Sequence, residues 1–536
     1  METFITSEDI FCQSTTDIEI VESTNITIED KKTISLYELY LGTKSELSKT
    51  RKKKKCIKRK KEKKKRYESN RVYISQSEAC ELLKENKFGR AEDIRKGNNI
   101  RDSMVFIPRN DSAFLFGKTQ EGGYVGKKQD VDGHIAIFGG SGKGKTTSLA
   151  IPSIHTWKGS IFAFDLKGDL IIEGVKRRKC KILYMLEGYT NSYYYDPFYF
   201  FSQDDNNLVQ NARELAQALI PYPLHDNSFW ADSAINILVG AIIYYFKKDV
   251  GFIDAIIAIK TTKTSELLKK IYTNNLAKTC LNPDIESSPE MLAGITAELH
   301  RRIVVFATDP LIQDIFSPSE EKEIIGWEDL ESCDIFIRLD HSRLQQWGGV
   351  IRLMLIQLMK TLERRPEKYS PEAVNVKSTL LMFDEFPEYG KIDIITSAFA
   401  TLRSKKVTIA IFCQSLADLD RIYGKEIRRE ICDNVQYKVI LGADDTDTGH
   451  YFSELVGTLK VPVKGFSANY DELGRESGYS INISESREAI IQPHEFRSLK
   501  DIILLHPKGF SRIRKETYFT KKHCDRENLL MDKDNE

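Results

Sequence analysis

The sequence predicts an α/β fold in which a parallel β-sheet is interrupted by an all-helical segment. An apolar run at 134–138 leads into a glycine-rich loop, a helical pattern and a second apolar run at 160–168. Strand, loop, helix and strand in this order form the βαβ unit of a parallel sheet. From 203 to about 306, helical periodicity replaces the strand runs.

Apolar runs of strand length return in the second half of the chain, separated by helical patterns. They lie at 332–340, 378–386, 406–415 and 437–444. Their alternation with helices again indicates parallel strands joined by helical crossovers. We therefore expect one α/β core that carries a helical insertion.

Composition supports an ordered body. The chain of 536 residues is 41% hydrophobic and 10% aromatic, which is enough to bury a large core. Its nine cysteines are scattered and form no CxxC pair, so a zinc site is disfavoured. The longest apolar stretch, 235–246, is far shorter than the roughly 20 residues that a membrane span needs. The first residues are acidic and lack the apolar region of a secretory signal.

Charge is unevenly distributed, although the formal net charge is only +1. Residues 1–50 hold ten acidic side chains and four lysines, whereas residues 51–66 hold thirteen basic side chains and one acidic one. A solvated linker is one interpretation of the lysine-rich run at 51–66. The other is an electrostatic contact with nucleic acid or anionic lipid, because each lysine near such a surface contributes about 1 kcal/mol.

A phosphate-binding loop is the strongest motif. Residues 139–146 match G-x-x-x-x-G-K-[ST] in full, between a strand run and a helix. In such a loop, backbone N–H groups bind phosphate oxygens, Lys145 reaches the β- and γ-phosphates, and Thr146 coordinates Mg²⁺. The alternative, a glycine loop without a ligand, is disfavoured by the flanking elements. The predicted nucleotide-binding residues are Gly139, Gly140, Ser141, Gly142, Lys143, Gly144, Lys145, Thr146 and Thr147.

Two carboxylates follow the strand run at 378–386. Asp384 is expected to hold Mg²⁺ through water, and Glu385 to polarise the attacking water. An ordinary strand end with exposed acids is the alternative, and pairing with a phosphate loop makes it improbable. A water-activating glutamate favours ATP hydrolysis by a motor-type enzyme over a small-molecule kinase. ATP and Mg²⁺ are therefore the expected cofactors.

Two further polar residues fit the same chemistry. Gln414 ends the strand run at 406–415, where an amide could sense the γ-phosphate. Arg403 ends the preceding helix, where a guanidinium could complete a neighbouring subunit's site as an arginine finger. A polar strand terminus and a surface cation are the plain alternatives for these two residues.

Several blocks, in this order along the chain, resemble the type IV coupling proteins of conjugation and type IV secretion, the TraG/TraD-like family of RecA-type hexameric ATPases. The resemblance extends from about Gly89 to Phe519. Its blocks are Gly144-Lys145-Thr146 with Ile151-Pro152 and Trp157, FDLKGD at 164–169, Phe229-Trp230, FDEFPEYGKI, LRSKKVTIAIFCQSLADLDRIYG, CDNVQYKVILGADDTDTGHYFSELVG and QPHEFRSL.

The resemblance implies a RecA-like P-loop NTPase core with an inserted all-α domain. It also implies a homohexamer that couples ATP turnover to the delivery of DNA and its attached relaxase, or an effector protein, to a secretion channel. The spacing from Asp384 and Glu385 to Arg403 and Gln414 is similar to the family's arginine-finger and sensor-glutamine arrangement.

Five segments are predicted on this basis. A disordered arm, acidic and then lysine-rich, spans 1–70. The RecA-like nucleotide-binding domain spans 71–202 and 307–520, on either side of an all-α domain at 203–306. A charged tail spans 521–536.

Relatives commonly begin with two transmembrane helices, and here the acidic arm and the lysine-rich run stand in that region. We therefore expect a bacterial cytoplasmic protein that lies peripherally at the inner face of the membrane. A membrane-bound channel or anchor protein would recruit it. The run at 51–66 would contact anionic lipid or that partner first, and DNA second.

The leading hypothesis is an ATP-driven DNA translocase that acts as a coupling protein. One alternative is a substrate-docking receptor in which ATP serves assembly. The complete hydrolytic set, Lys145, Thr146, Asp384 and Glu385, favours a true ATPase. A second alternative is a DNA pump of the FtsK/HerA type, which the coupling-family blocks disfavour.

Overall fold

A computed structural model describes most of the chain. The described residues are 104–108, 110–202, 207–221, 228–282, 288–392, 394–470 and 476–517, with only the backbone at 461–485, together with the backbone of three short strands near the start of the chain. The chain divides into two compact units: Met1–Gly97 with His450–Pro493, and Asn98–Gly449 with His494–Glu536.

Strands are numbered in chain order. They are β1 Asn25–Ile28, β2 Lys32–Ser35, β3 Tyr73–Ile74, β4 Val105–Phe106, β5 Ala113–Lys118, β6 Tyr124–Lys128, β7 Ile135–Phe138, β8 Ser160–Asp165, β9 Cys180–Met185, β10 Tyr193–Tyr194, β11 Glu323–Ile324, β12 Asp334–Leu339, β13 Thr379–Phe383, β14 Val407–Cys413, β15 Tyr437–Ile440, β16 Thr458–Tyr470, β17 Glu476–Ala489, β18 Ile502–His506 and β19 Gly509–Ile513.

The α-helices are numbered likewise. They are α1 Ile151–Thr156, α2 Asp169–Val175, α3 Tyr199–Ser202, α4 Leu208–Leu219, α5 Phe229–Phe246, α6 Phe252–Thr261, α7 Thr264–Tyr272, α8 Asn275–Lys278, α9 Pro289–Thr308, α10 Pro310–Phe316, α11 Gly348–Glu363, α12 Ile395–Thr401, α13 Leu416–Asn434 and α14 Thr446–Val456. A π-helical turn, Thr146–Ala150, precedes α1.

A nine-stranded sheet organises the larger unit, in the order β19-β18-β15-β7-β14-β13-β8-β12-β9. The seven strands from β15 to β9 are parallel, and β18 and β19 extend the sheet antiparallel. Every residue of β8, β13 and β14 is buried, as expected for parallel strands covered on both faces. The predicted parallel sheet and α/β class are confirmed.

Helices α3 to α10 follow one another between β10 and β11. In the described residues this helical run continues to Phe316, ten residues beyond the predicted bound of 306. Within it, α5 is long and apolar enough to cross a membrane by length and composition alone, but 67% of it is buried inside the fold. That degree of burial is typical of a core helix.

The smaller unit contains a long antiparallel hairpin, β16 with β17, which joins β2, β1 and β3 in a five-stranded sheet. This hairpin was not predicted from the sequence. Strands β1 and β2 lie within the arm predicted to be disordered. The rest of that arm, including the run at 51–66, and the tail at 521–536 lie outside the described residues, so those predictions stay predictions.

Candidate nucleotide site

The carboxyl ends of four neighbouring parallel strands, β7, β14, β13 and β8, meet at one edge of the sheet. Ligands of open α/β sheets bind at this edge. Strand β7 runs into the phosphate loop, and Gln414 follows β14. Asp384 and Glu385 follow β13, and Asp165 ends β8. The sheet order thus brings every predicted site residue except Arg403 to a single edge.

In the phosphate loop, the lysine side chain forms a hydrogen bond with the loop's own backbone. Lys145 is only 8% exposed, and its Nζ donates a hydrogen bond to the Gly139 carbonyl oxygen at 2.5 Å. Gly142 and Gly144 have φ angles of 75° and 81°, a left-handed region that glycine adopts without strain. The helix that follows begins as a π-helical turn, in which the Ile151 N–H donates to the Thr146 carbonyl. Such turns occur frequently at functional sites.

Asp384 is a buried carboxyl group that faces this loop. It is 4% exposed, and burial raises its pKa to about 6, with the charge of Glu385 adding to the rise and Lys167 and Lys145 opposing it. Burial lowers the pKa of Lys145, while the charges of Asp384 and Glu385 offset part of that effect. Burial therefore disfavours the charged form of both side chains.

The donor set fits a magnesium ion held together with a nucleotide. In the described part of the chain, no group of three or more His, Cys, Asp or Glu side chains could form a separate metal centre. Mg²⁺ in nucleotide sites needs only one or two protein ligands, because phosphate oxygens and water supply the rest. The Thr146 hydroxyl and the Asp384 carboxylate match that requirement.

Glu385 has an unusual backbone and a defined partner. Its φ of 51° lies in the left-handed region, which is uncommon for a non-glycine residue and occurs often at functional sites. Its side chain is 14% exposed, and Oε1 lies 3.3 Å from Nζ of Lys167. Lys167 was not among the site residues predicted from the sequence.

Lys167 stands on a turn that Asp165 fixes. The Asp165 side chain is buried, and its carboxylate accepts hydrogen bonds from the N–H groups of Lys167 at 3.0 Å, Gly168 at 2.7 Å and Ile171 at 2.9 Å. Gly168 has a φ of 92°. The signal for this turn was present in the FDLKGD block, where an acidic residue ends an apolar run and a glycine follows.

Three residues from distant parts of the sequence surround the outer side of the loop. Lys143 Nζ donates to the Arg497 carbonyl at 2.9 Å and lies 3.6 Å from Oδ1 of Asp444. Lys515 Nζ donates to the Lys143 carbonyl at 2.5 Å. Asp444 and Arg497 lie within two of the family blocks, but neither was assigned to the site from the sequence, and no motif marks Lys515.

Arg403 lies at the opposite edge of the sheet. It is exposed in the 3₁₀ turn Leu402–Lys405, directly before β14, whereas Gln414 is exposed directly after that strand. Strand β14 has seven residues, which at about 3.3 Å per residue separates the two positions by roughly 20 Å. The structure therefore does not bring Arg403 to this chain's own phosphate loop.

Solved structures share this fold. The plasmid coupling protein TrwB in complex with the non-hydrolysable ATP analogue ADPNP matches with a TM-score of 0.58 at 16% identity, over 80% of this chain and 92% of that one. TrwB in complex with ADP and Mg²⁺ matches with a TM-score of 0.56, also at 16% identity, over 80% of this chain and 92% of that one. Together with the strand order, these matches confirm the predicted RecA-like α/β fold.

Sequence comparisons lead to the same group of proteins. Protein VirD4 of Rhizobium radiobacter is 23% identical over 410 residues, which cover 73% of this chain and 58% of that protein. Conjugal transfer protein TraG of Escherichia coli is 25% identical over 394 residues, which cover 66% of this chain and 61% of TraG. The chain thus spans about three-fifths of the length of these curated relatives.

A family model described as "Type IV secretory system Conjugative DNA transfer" matches residues 84–534, which is most of the chain. The predicted resemblance to coupling proteins is confirmed by this match. The protein therefore belongs to the type IV secretory system conjugative DNA transfer family, that of the type IV coupling proteins.

Proposed function

We propose that this protein binds and hydrolyses ATP as a coupling protein and uses the energy to move a DNA substrate toward a secretion channel. The observation that carries the proposal is the single sheet edge that bears the phosphate loop, the buried Asp384 and the adjacent Glu385. Binding of ADPNP and of ADP with Mg²⁺ by the structurally similar TrwB supports the choice of nucleotide.

Each residue at this edge has a separate task. The loop N–H groups and Lys145 bind the phosphates, and Lys145 leaves the Gly139 carbonyl to do so. Thr146 and Asp384 would hold Mg²⁺, which when bound neutralises charge on the β- and γ-phosphates. Glu385 orients the attacking water and accepts its proton, and Gln414 contacts the γ-phosphate side from the adjacent strand β14.

Arg403 would act in a neighbouring subunit. Because it lies roughly 20 Å from the loop edge of its own sheet, any contact with ATP must be made across an interface. A ring of identical subunits provides that contact at every site, since head-to-tail interfaces close into rings. We therefore propose a homohexamer in which Arg403 serves as an arginine finger.

The remaining parts of the proposal concern partners and location. The family description and the names of VirD4 and TraG support conjugative DNA transfer, with a relaxase-bound DNA strand as substrate and a membrane-bound channel or anchor protein as partner. We propose a peripheral position at the inner face of the membrane. The run at 51–66 would contribute a contact with anionic lipid.

The decisive experiment measures ATP hydrolysis by the purified protein with and without single- and double-stranded DNA. We expect hydrolysis that DNA stimulates and that Lys145→Ala and Glu385→Gln abolish. Binding of a fluorescent ATP analogue should survive in Glu385→Gln and be lost in Lys145→Ala. If assembled protein binds ATP but does not hydrolyse it, or hydrolyses it without regard to DNA, the motor proposal fails and a docking receptor is favoured.

A further inference from the structure

The ion pair between Lys167 and Glu385 joins the turn after β8 to the residue proposed to activate water. The two side chains are 3.3 Å apart, with Lys167 56% exposed and Glu385 14% exposed. Burial acts to lower the pKa of Lys167. The charge and hydrogen bond of Glu385, together with the charges of Asp384 and Asp169, outweigh burial, so the net effect raises the pKa. The lysine is therefore a charged partner of Glu385.

The order of the strands shows from which side of β13 Lys167 contacts Glu385. Along the sheet, the phosphate loop on β7 and the carboxylates on β13 are separated by β14, while β8 lies on the far side of β13. Lys167 follows β8, so its ion pair draws the Glu385 carboxylate toward the β8 side of β13, whereas the phosphate loop follows β7 on the other side.

The base of Lys167 is fixed by hydrogen bonds, whereas its side chain is more than half exposed. The Asp165 carboxylate, at the end of β8, accepts three hydrogen bonds from backbone N–H groups of the turn that carries Lys167, the shortest at 2.7 Å. The aliphatic chain of Lys167 extends into solvent from this anchor. Asp169, two residues further on, also attracts the ammonium, and it offers an alternative partner once Glu385 has turned away.

We propose that Lys167 is a positioning residue that holds Glu385 away from the attacking water until ATP is bound. In this ion pair the Glu385 carboxylate is oriented toward β8. Binding of the ATP phosphates to Lys145 would leave Glu385 free to turn toward the loop, and Lys167 would then move to Asp169. This inference rests on the proposed ATPase function.

The first test measures steady-state ATP hydrolysis without DNA in Lys167→Met and Lys167→Arg. Methionine removes the charge, so we expect kcat to rise roughly two- to fivefold with KM unchanged, the range that a pair of this exposure supports. Arginine keeps the ion pair and should leave kcat close to that of the wild-type protein. The matched control is Lys176→Met, because Lys176 is also 56% exposed and pairs with Glu173 at 2.8 Å at the far end of α2.

A second readout does not depend on hydrolysis. Mass spectrometry would measure how fast acetic anhydride acetylates Lys167 in the full-length wild-type protein and in Glu385→Gln. We expect faster acetylation of Lys167 in Glu385→Gln, because the carboxylate charge that pairs with the lysine is removed. The acetylation of Lys176 should be the same in the two proteins.

A fall or no change in kcat for Lys167→Met would overturn the proposal, as would equal acetylation of Lys167 in wild-type protein and Glu385→Gln. The wild-type rate and its loss in Lys145→Ala test the proposed function separately. If the wild-type protein does not hydrolyse ATP, that function fails, whereas the acetylation rates still decide whether Lys167 is held by Glu385.

Discussion

The placement of Arg403 predicts complementation between two inactive variants. Arg403→Ala removes the guanidinium at the amino edge of the sheet, and Lys145→Ala removes the lysine proposed to bind phosphate at the carboxyl edge. Because the two positions are roughly 20 Å apart in one chain, the proposed ring would place them in two different ATP sites. Each variant alone should therefore hydrolyse ATP at no more than about one thousandth of the wild-type rate, given what an arginine finger contributes.

An equimolar mixture should recover activity. A site is complete when one subunit has an intact Lys145 and its neighbour has an intact Arg403. When the two variants assemble at random, half of the sites have an intact Lys145 and half have a neighbour with an intact Arg403. About a quarter of the sites therefore have both residues. The assay is ATP hydrolysis after the two proteins have been mixed, dissociated and reassembled.

Arg403→Ala is well suited to this test, because the residues that follow Arg403 hold the turn Leu402–Lys405 in place. The Ser404 carbonyl accepts from the Lys368 N–H at 2.7 Å, Lys405 pairs with Glu367 at 2.6 Å, and Lys406 Nζ donates to the Ala373 carbonyl at 2.6 Å. The double variant Lys145→Ala/Arg403→Ala mixed with wild type controls for exchange of subunits. Activity that stays at zero in the equimolar mixture, with exchange demonstrated, would refute the trans assignment of Arg403.

Three further predictions concern stability and location. Burial lowers the pKa of Lys127 to about 7, so between pH 7 and 10.5 the unfolded chain binds a proton that the folded protein does not, and stability rises with pH. Lys127→Met should therefore raise the free energy of unfolding at pH 7. Measured by urea unfolding, this gain should shrink by about 1.4 kcal/mol per pH unit as the pH rises. A gain that does not change with pH would mean that the Lys127 ammonium stays charged in the folded protein. Asp165→Asn should lower the unfolding free energy by about 2–3 kcal/mol, because a buried carboxylate that accepts three N–H bonds is lost, and an unchanged urea midpoint would contradict this. Deletion of 51–66 should reduce recovery of the protein in the membrane fraction, and unchanged recovery would leave that run as a linker.

The positions of the glycine loop and of the two carboxylates in the fold were predictable because their signals are local. A glycine loop after a strand specifies its own geometry, and the loop at 139–146 adopts left-handed φ angles at Gly142 and Gly144. Likewise, an apolar run that stops at Asp384 fixes a buried strand whose next residue lies at the sheet edge. The parallel order of strands then follows from the crossovers, because each helical connection returns the chain to the same edge.

Contacts between distant segments were beyond the reach of the sequence. Lys143 and Lys515 are 372 positions apart, and their contact depends on β18 and β19 having added to the sheet beside β15. The β16–β17 hairpin was missed for a different reason. Its segments carry lysine, serine and glutamate among the apolar residues, so neither shows the continuous apolar run by which the core strands were recognised.

The buried charged groups at the carboxyl edge of the sheet are suited to binding a charged ligand. Burial lowers the pKa of Lys145 and raises that of Asp384, so each side chain loses part of its preference for the charged form when phosphate and metal are absent. Phosphate oxygens at Lys145 and a cation at Asp384 would reverse both effects, because an opposite charge at close range favours ionisation. The fold thus holds two desolvated groups in positions where a bound nucleotide and Mg²⁺ would compensate them together. Lys167, which is more exposed, keeps its charge and remains available to Glu385 in the absence of both ligands.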